Sequence, residues 1–504
     1  MKNKKKPTSR RKFIKLLALG STSLGLTSCS EIPEKKEVVT NSLATPIAKT
    51  PLPEKKPTVD STSPVNFVNS ENVTFYQKGQ AEYERLRQGH NKRINKFPRV
   101  IALCQNEKGV QEALTFAAAA NLAVAIKSSG HSLEGLSCND DGMVINLSKL
   151  NSIEWLENSE VKLGPACNLS QLYAELLPKG RLLPGGSCGG VAVGGLTLGG
   201  GYGMFSRKYG LTCDSLTEVT MVDGTGKIIN SKDDPELLWA CKGGGAGNFG
   251  VITQMKFKTH LSPAMLTSHR FRKFNTDAQT AADILEKWFL LTTNLPESCF
   301  SVFILNRKTV FILLTNFAQE TEQVKSLINE LSALTEKTSL GKPQKLDSAV
   351  KTFYGIQEPI FSKNSSVGLY KSFADIKNFI VPTLEKISAT PGMLISIGTL
   401  GGQIDNAEFA KNSAFAHRSL YYLSELQTYY SDLKQQEKLL KSYNEIRDIF
   451  QNNGINTQYI NYPDLGFKDW EKAYYGDNYK RLQEVKRRYD PTNLIRHEQS
   501  VRIS

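Results

Sequence analysis

The segment Leu182–Tyr209, LLPGGSCGGVAVGGLTLGGGYGMFSRKY, constrains this chain more than any other. Ten of the nineteen residues from Gly185 to Gly203 are glycine, and a single cysteine, Cys188, stands among them. A glycine inside a helix or strand costs roughly 0.5–1 kcal/mol relative to alanine, so this density would be wasteful in an ordinary core. It is useful where bare backbone must pass close to something large, flat or anionic, with N–H groups turned towards it.

The formal net charge of +14 over 504 residues suggests a nucleic-acid partner until its placement is read. Eight of the basic residues (Lys2, Lys4, Lys5, Lys6, Arg10, Arg11, Lys12 and Lys15) precede residue 30, where there is no acid, and the remainder carries +6. No later basic run has interleaved aromatics, and the KRR at 486–488 reads as a solvated helix face. No nucleic acid is expected as a partner.

The basic cluster belongs to an address. Paired Arg10-Arg11 is followed by an apolar run, Leu16–Leu26, softened by Gly, Ser and Thr. Eleven helical residues reach about 16 Å, short of a bilayer core of ~30 Å. Residues 1–29 therefore read as an export signal. They resemble a twin-arginine signal, and Leu26-Thr27-Ser28-Cys29 resembles a lipobox, with Cys29 lipidated and a simply cleaved signal as the alternative. The expected location is outside the cytoplasm, with the membrane met only through a lipid at Cys29. Residues 30–70 hold six prolines and one aromatic, Phe67. Such a segment cannot bury enough apolar surface to offset its ordering entropy, and it reads as a disordered linker.

The folded body divides into 71–267, 268–453 and a closing segment, 454–504. In the first part, Asn106–Asn121 reads as a helix and Val124–Ile126 as a short buried strand. The strand runs into Lys127-Ser128-Ser129-Gly130-His131-Ser132, whose small residues leave backbone donors free for a pyrophosphate. Met143–Leu147 and Ile153–Leu163 read as strands, Leu169–Leu177 as a helix, and Leu216–Val222 as a strand turning at Asp223-Gly-Thr-Gly226. Gly245-Ala-Gly-Asn-Phe-Gly250 matches G-x-G-x-x-G but is not a Rossmann fingerprint. It follows an expected helix, Pro235–Cys241, and opens a strand, Val251–Lys258, the reverse of the required order. In the second part, Asp277–Thr293, Glu320–Leu334 and Asp432–Phe450 read as helices. Phe300–Leu305, Val310–Leu314, Leu394–Ile397 and Leu420–Tyr430 read as strands. This order suggests an antiparallel sheet backed by helices on one face. No cysteine pair has zinc-type spacing and no metal is expected; cysteines 104, 138, 167, 213, 241 and 299 read mostly as free buried thiols.

Taken together, Ser-Gly-His at 129–131, Gly-Ser-Cys at 186–188, Gly-Gly-Gly-Tyr-Gly at 199–203 and Gly-Asn-Phe-Gly at 247–250 resemble the berberine bridge enzyme-like branch of the vanillyl-alcohol oxidase flavoprotein superfamily. Tyr459-Ile-Asn-Tyr462 and the segment 470–500 follow the family's closing pattern. Ala414-Phe-Ala-His-Arg418 looks like its F-P-H-R element with Ala416 in place of proline. The resemblance, from about Phe75 to the C-terminus, implies an α+β fold: a two-subdomain FAD-binding domain plus an α+β substrate domain whose antiparallel sheet is backed by helices. It implies FAD bonded covalently through His131 to the 8α-methyl and through Cys188 to ring position C6. Two bonds to the ring also tend to make it more oxidising. The implied cofactor-binding set is Ser128, Ser129, Gly130, His131, Ser132, Cys188, Gly194, Gly195, Gly199, Gly200, Gly203, Gly250, Val251, Tyr459 and Asn461.

By the same resemblance the chain is an oxidoreductase that oxidises a hydroxyl, on a carbohydrate or other alcohol, by hydride transfer to flavin N5. Tyr459 is the first candidate base and Tyr462 the second. A phenol must lose about three units from its reference value of about 10, roughly 4 kcal/mol, to act near neutrality. Family members also carry a catalytic polar group on a strand like Tyr421–Gln427, where Glu425 is the candidate. Tyr421, Leu423, Glu425 and Gln427 share one face and Tyr422, Ser424 and Leu426 the other; which face meets substrate stays open. Val191 accompanies oxidase behaviour in the family, so O2 is the expected electron acceptor. A dehydrogenase serving a membrane or protein redox partner is the alternative, and a solute-binding lipoprotein is the non-enzymatic one.

Overall fold

The computed structural model describes residues 67–503. The export signal, Cys29 and most of the linker lie outside the described residues. Residues 67–70, read as the end of the linker, are part of the fold. Phe67 packs its ring 4.6 Å from Phe116 and 5.5 Å from Phe75, and the Ser70 hydroxyl donates to Glu112 at 2.6 Å. One aromatic suffices when its neighbours are already assembled.

Four strands form the first sheet, in the order Val73–Tyr76, Val100–Cys104, Met143–Asn146, Val124–Lys127; the last three run parallel. The helix Glu107–Ala119 covers it, capped where Asn106 accepts from the Gly109 N–H. The second sheet is antiparallel, with strands Ile153–Trp155, Glu160–Leu163, Gly250–Lys258, Leu216–Asp223 and Ile228–Asn230 side by side. The expected single strand 153–163 is thus a hairpin, turned at Asn158 and Ser159, which both have positive φ.

The second part carries an eight-stranded sheet. Six of its strands, Met265–Lys273, Thr309–Asn316, Cys299–Asn306, Met393–Thr399, Tyr422–Tyr430 and Phe361–Tyr370, follow one another across its width. One face packs on the helices Ala278–Thr292, Glu322–Ala333, Lys377–Ala389 and Gln436–Asn452, burying Trp288, Phe303, Tyr443 and Phe450 between. Asp277 caps the first of these helices by accepting from the Thr280 N–H, as its sequence position suggests. The other face turns to the first part of the chain, residues 71–267. The fold is α+β, as the sequence implied.

The closing segment stitches the pieces together. The Val124 N–H donates to Leu494 O and the Arg496 N–H to Val124 O, extending the first sheet. Lys363 Nζ, buried, donates to Glu134 and Asp464 at 2.8 Å each, joining the first part, the large sheet and the closing segment. Lys486 corrects the solvated-face reading of 486–488. It is fully buried, and its Nζ donates at 2.6 Å to Asp490 and to the carbonyls of Asn248 and Ile495. A lysine in a basic triplet looks solvated until a carboxylate four residues on and two carbonyls satisfy all three of its donors.

Candidate active site

A cavity of about 490 Å³ lies between the first part of the chain and the open face of the large sheet. Its first wall is the turn after Lys127. The Lys127 ammonium is drawn under this turn to the carbonyls of Leu86 and Gln88, and Gly130 adopts φ +78° above it. His131 follows, its ring stacked 4.4 Å from that of His90. Burial, with His90 beside it, lowers the His131 imidazole to about 4, so it is neutral and nucleophilic at physiological pH. The Ser129 hydroxyl accepts from the Ala192 N–H at 3.0 Å, fastening this turn to the glycine-rich stretch.

The glycine stretch forms the second wall. A Cβ at Gly190 would stand 2.8 Å from His131 Nε2, and one at Gly194 2.7 Å from Pro165 O. Gly195 differs: a Cβ there would touch no protein atom within 4 Å, so its bareness preserves the cavity and not a protein contact. Cys188 is partly exposed in the same wall, its thiol raised by burial and eased by the Gly190 and Val191 amides.

Of the candidates, Ser128, Ser129, Gly130, His131, Ser132, Cys188, Gly194, Gly195, Gly203, Gly250, Glu425, Tyr459, Asn461 and Tyr462 all line this one cavity. Gly199, Gly200 and Val251 do not. Gly199 makes room for the Asn461 amide and Gly200 for the Phe415 ring behind the wall. Val251 points into the core beneath the first sheet, because successive residues of a strand face opposite ways and Gly250 takes the cavity side.

The open question of register is answered by pairing. Leu423, Glu425, Gln427 and Tyr429 line the cavity, while Tyr422 and Leu426 enter the helix-backed core. Glu425 stands between Ser396 and Ser366 on the flanking strands. A bulge at Ser366–Gly368 lies beside it. Burial pushes its carboxyl up to about 7, opposed by the Gln427 amide, which donates to Oε2 at 2.8 Å.

The three catalytic candidates are not equivalent. Tyr459 Oη accepts from the Gly201 N–H at 3.0 Å, the Tyr202 N–H at 3.1 Å and Asn461 Nδ2 at 3.0 Å. Burial raises the phenol above its usual value, while the three donors favour its ionised form. Tyr459 ties the glycine stretch to the closing segment, and as first candidate base it takes a substrate proton only by giving up one of these bonds. The Tyr462 hydroxyl has no hydrogen-bond partner among the described residues, and burial, with Glu425 close by, raises it well above 10. Glu425 alone combines a free carboxylate oxygen with an affinity for protons suited to neutral pH.

Residues 98–232 match the FAD binding domain family, and residues 458–502 the family described as berberine and berberine like. The chain is an FAD-linked oxidoreductase, and its two matched segments are similar to those of berberine bridge enzyme-like proteins. This oxidoreductase is 28% identical to the FAD-linked oxidoreductase YgaK of Bacillus subtilis, over 83% of this chain and 94% of that protein. It is 27% identical to chitooligosaccharide oxidase of Gibberella zeae, over 84% and 91%. A solved chitooligosaccharide oxidase superimposes with a TM-score of 0.77 at 23% identity, over 86% of this chain and 97% of the other, a likeness of fold. The cavity of this oxidoreductase suits FAD. Bare backbone at Gly195, a neutral imidazole and an accessible thiol lie in one chamber, with Arg496 and His497 on its lining. No sequence signal singled out these last two. Gln427 and Tyr429, by contrast, were legible by alternation once the face of Glu425 was known. Among the described residues all seven cysteines are free and six are buried, and no group of side chains could hold a metal.

Proposed function

We propose that this protein is an exported FAD-dependent oxidase that removes two electrons and two protons from a hydroxyl-bearing carbon, on a carbohydrate or similar alcohol. The carrying observation is that Glu425 is held in the sheet face opposite the wall with His131 and Cys188. FAD supplies the hydride acceptor, and dioxygen takes the electrons onward. The chain's own residues do the rest. Tyr462 offers its unengaged hydroxyl to the substrate oxygen, and Glu425 Oε1 takes its proton. The apolar side chains of Phe300, Val302 and Leu423 limit water around them. His131 and Cys188 hold the cofactor covalently, which prevents its loss after export. The paired arginines and Cys29 support export with a lipid anchor.

The carbohydrate reading is supported by the polar row Asn364, Ser396, Glu425 and Gln427 on the cavity face of the large sheet, a pattern suited to several hydroxyls, and by the chitooligosaccharide oxidase relative. The test is anaerobic bleaching of the flavin's visible band by cellobiose, N,N′-diacetylchitobiose and simple alcohols, followed by admission of air. Bleaching by a sugar and rapid recovery in air are expected. Recovery only with an added quinone or protein acceptor would replace the oxidase by a dehydrogenase. No bleaching by any hydroxyl compound would overturn the reaction class.

A further inference from the structure

The polar face of the strand Tyr422–Tyr430 is more ordered than a lone proton acceptor requires. Asn364 stands directly across from Gln427 on the neighbouring strand. The Thr428 backbone N–H donates to Asn364 Oδ1 at 3.1 Å, and Asn364 Nδ2 donates to Tyr429 Oη at 3.0 Å. Tyr429 Oη then donates to Gln427 Oε1 at 2.8 Å, and Gln427 Nε2 donates to Glu425 Oε2 at 2.8 Å. The two ends of an Asn or Gln amide are alike in shape and are told apart only by their partners. Here the first partner is a peptide N–H, which can only donate. It turns Asn364 one way, and every later link inherits that direction.

We propose that Asn364 and Tyr429 are positioning residues which keep the NH2 of Gln427, and not its carbonyl, against Glu425, and so hold Glu425 ready to accept a proton. The proposal rests on the reading of Glu425 as the base. Donation to a carboxylate favours its ionised form, whereas a reversed amide would present a carbonyl that only a protonated acid can satisfy. The counterweight matters because nothing else supplies one. The titratable groups facing Glu425 are the phenols of Tyr202, Tyr429 and Tyr462. Its cross-strand neighbours are Ser366 and Ser396, and among the described residues the causes of its shift are burial and the Gln427 amide, with no cation.

Two variants separate direction from mere occupancy. Tyr429→Phe removes a link. Asn364→Asp keeps the shape and reverses the chain: the introduced carboxylate would accept from both the Thr428 N–H and the Tyr429 hydroxyl, Tyr429 would accept from Gln427 Nε2, and Gln427 Oε1 would face Glu425. The readout is the infrared C=O band of the protonated Glu425 carboxyl, identified as the band lost in Glu425→Gln and titrated on the flavin-loaded full chain. Both variants should move its midpoint up by about one pH unit, a tenfold loss of ionised Glu425 at a given lower pH. A part played only in packing would leave the midpoint in place whatever happened to thermal stability. Midpoints equal to wild type in the variants that fold overturn the proposal; because the carboxylate in Asn364→Asp also raises Glu425 by repulsion, the shift in the uncharged Tyr429→Phe is the one that supports it. Full flavin reduction by cellobiose or N,N′-diacetylchitobiose in Glu425→Gln would instead remove Glu425 as base while leaving the midpoint shifts to stand or fall by themselves.

Discussion

Replacing Glu425 by glutamine should make the protein more stable as the medium becomes alkaline. The carboxyl holds its proton up to about pH 7 in the folded chain, against an ordinary value of 4.5. Its contribution to stability is therefore complete below about pH 4.5 and is lost as the pH rises through 7, because the folded state then binds more protons than the unfolded one. At 1.36 kcal/mol per unit the full loss is about 3 kcal/mol. Glutamine has the same shape, cannot ionise, and can still accept from the Gln427 amide. Its own fixed effect on packing cancels when two pH values are compared. The stability gap between variant and wild type should widen from under about 1 kcal/mol at pH 5 to about 3 kcal/mol at pH 8.5. Urea unfolding at the two pH values measures it. A gap that stays constant or narrows would refute the burial argument for Glu425, and with it the support that burial lends to the proposed base. Turnover should meanwhile collapse, so stability and activity move in opposite directions through one atom.

Tyr459→Phe should cost stability, since three N–H donors lose their acceptor at about 1 kcal/mol or more each; a denaturation midpoint equal to wild type would contradict the tie between the glycine stretch and the closing segment. Lys486→Met should destabilise by roughly 3–5 kcal/mol by leaving Asp490 buried without its partner, and protease sensitivity near the C-terminus should rise with it. Burial lowers His417 to about 4, opposed by the carbonyls of Ala473 and Tyr474, so the unfolded chain takes up its proton first and stability should fall as the pH drops from 6.5 towards 4. Comparison with His417→Gln isolates this effect: the stability difference should shift in the variant's favour over that range, and a constant difference would count against a neutral buried His417. Flavin fluorescence should comigrate with the band on a denaturing gel, survive either His131→Ala or Cys188→Ala alone, and vanish in the double variant.

How much of this was legible in the sequence depended on whether a residue's neighbours are close in the chain. The helix Pro235–Cys241 was read to the residue because proline at its start and Asp234 before it are local signals. The alternation along 421–427 was equally local, but its facing was not. The sheet is covered on both sides, by helices on one and the cavity on the other, so hydrophobicity distinguishes the two faces poorly. The strand Phe361–Tyr370 (FSKNSSVGLY) escaped notice because it is polar and holds a glycine at a bulge, both of which argue against a strand in isolation. Glycines 199 and 200 were assigned to the cofactor because the stretch was read as one surface, whereas only contacts hundreds of residues away, Asn461 and Phe415, show which glycines turn inwards. The engagement of Tyr459 was invisible for the same reason: its donors come from residues 201 and 202.

The pairing of residues 494–496 with Val124 bears on the order in which the protein is made. A chain emerging from the ribosome displays the first sheet's strands early, by residue 146. Yet that sheet lacks its outermost partner until residue 495 has been added. Lys363 and Lys486 impose the same wait, since Asp464 and Asp490 do not yet exist when much of their surroundings does. The first sheet to be synthesised is the last to be completed, and a chain halted before residue 459 would have every strand of both early sheets and still no closed cofactor chamber.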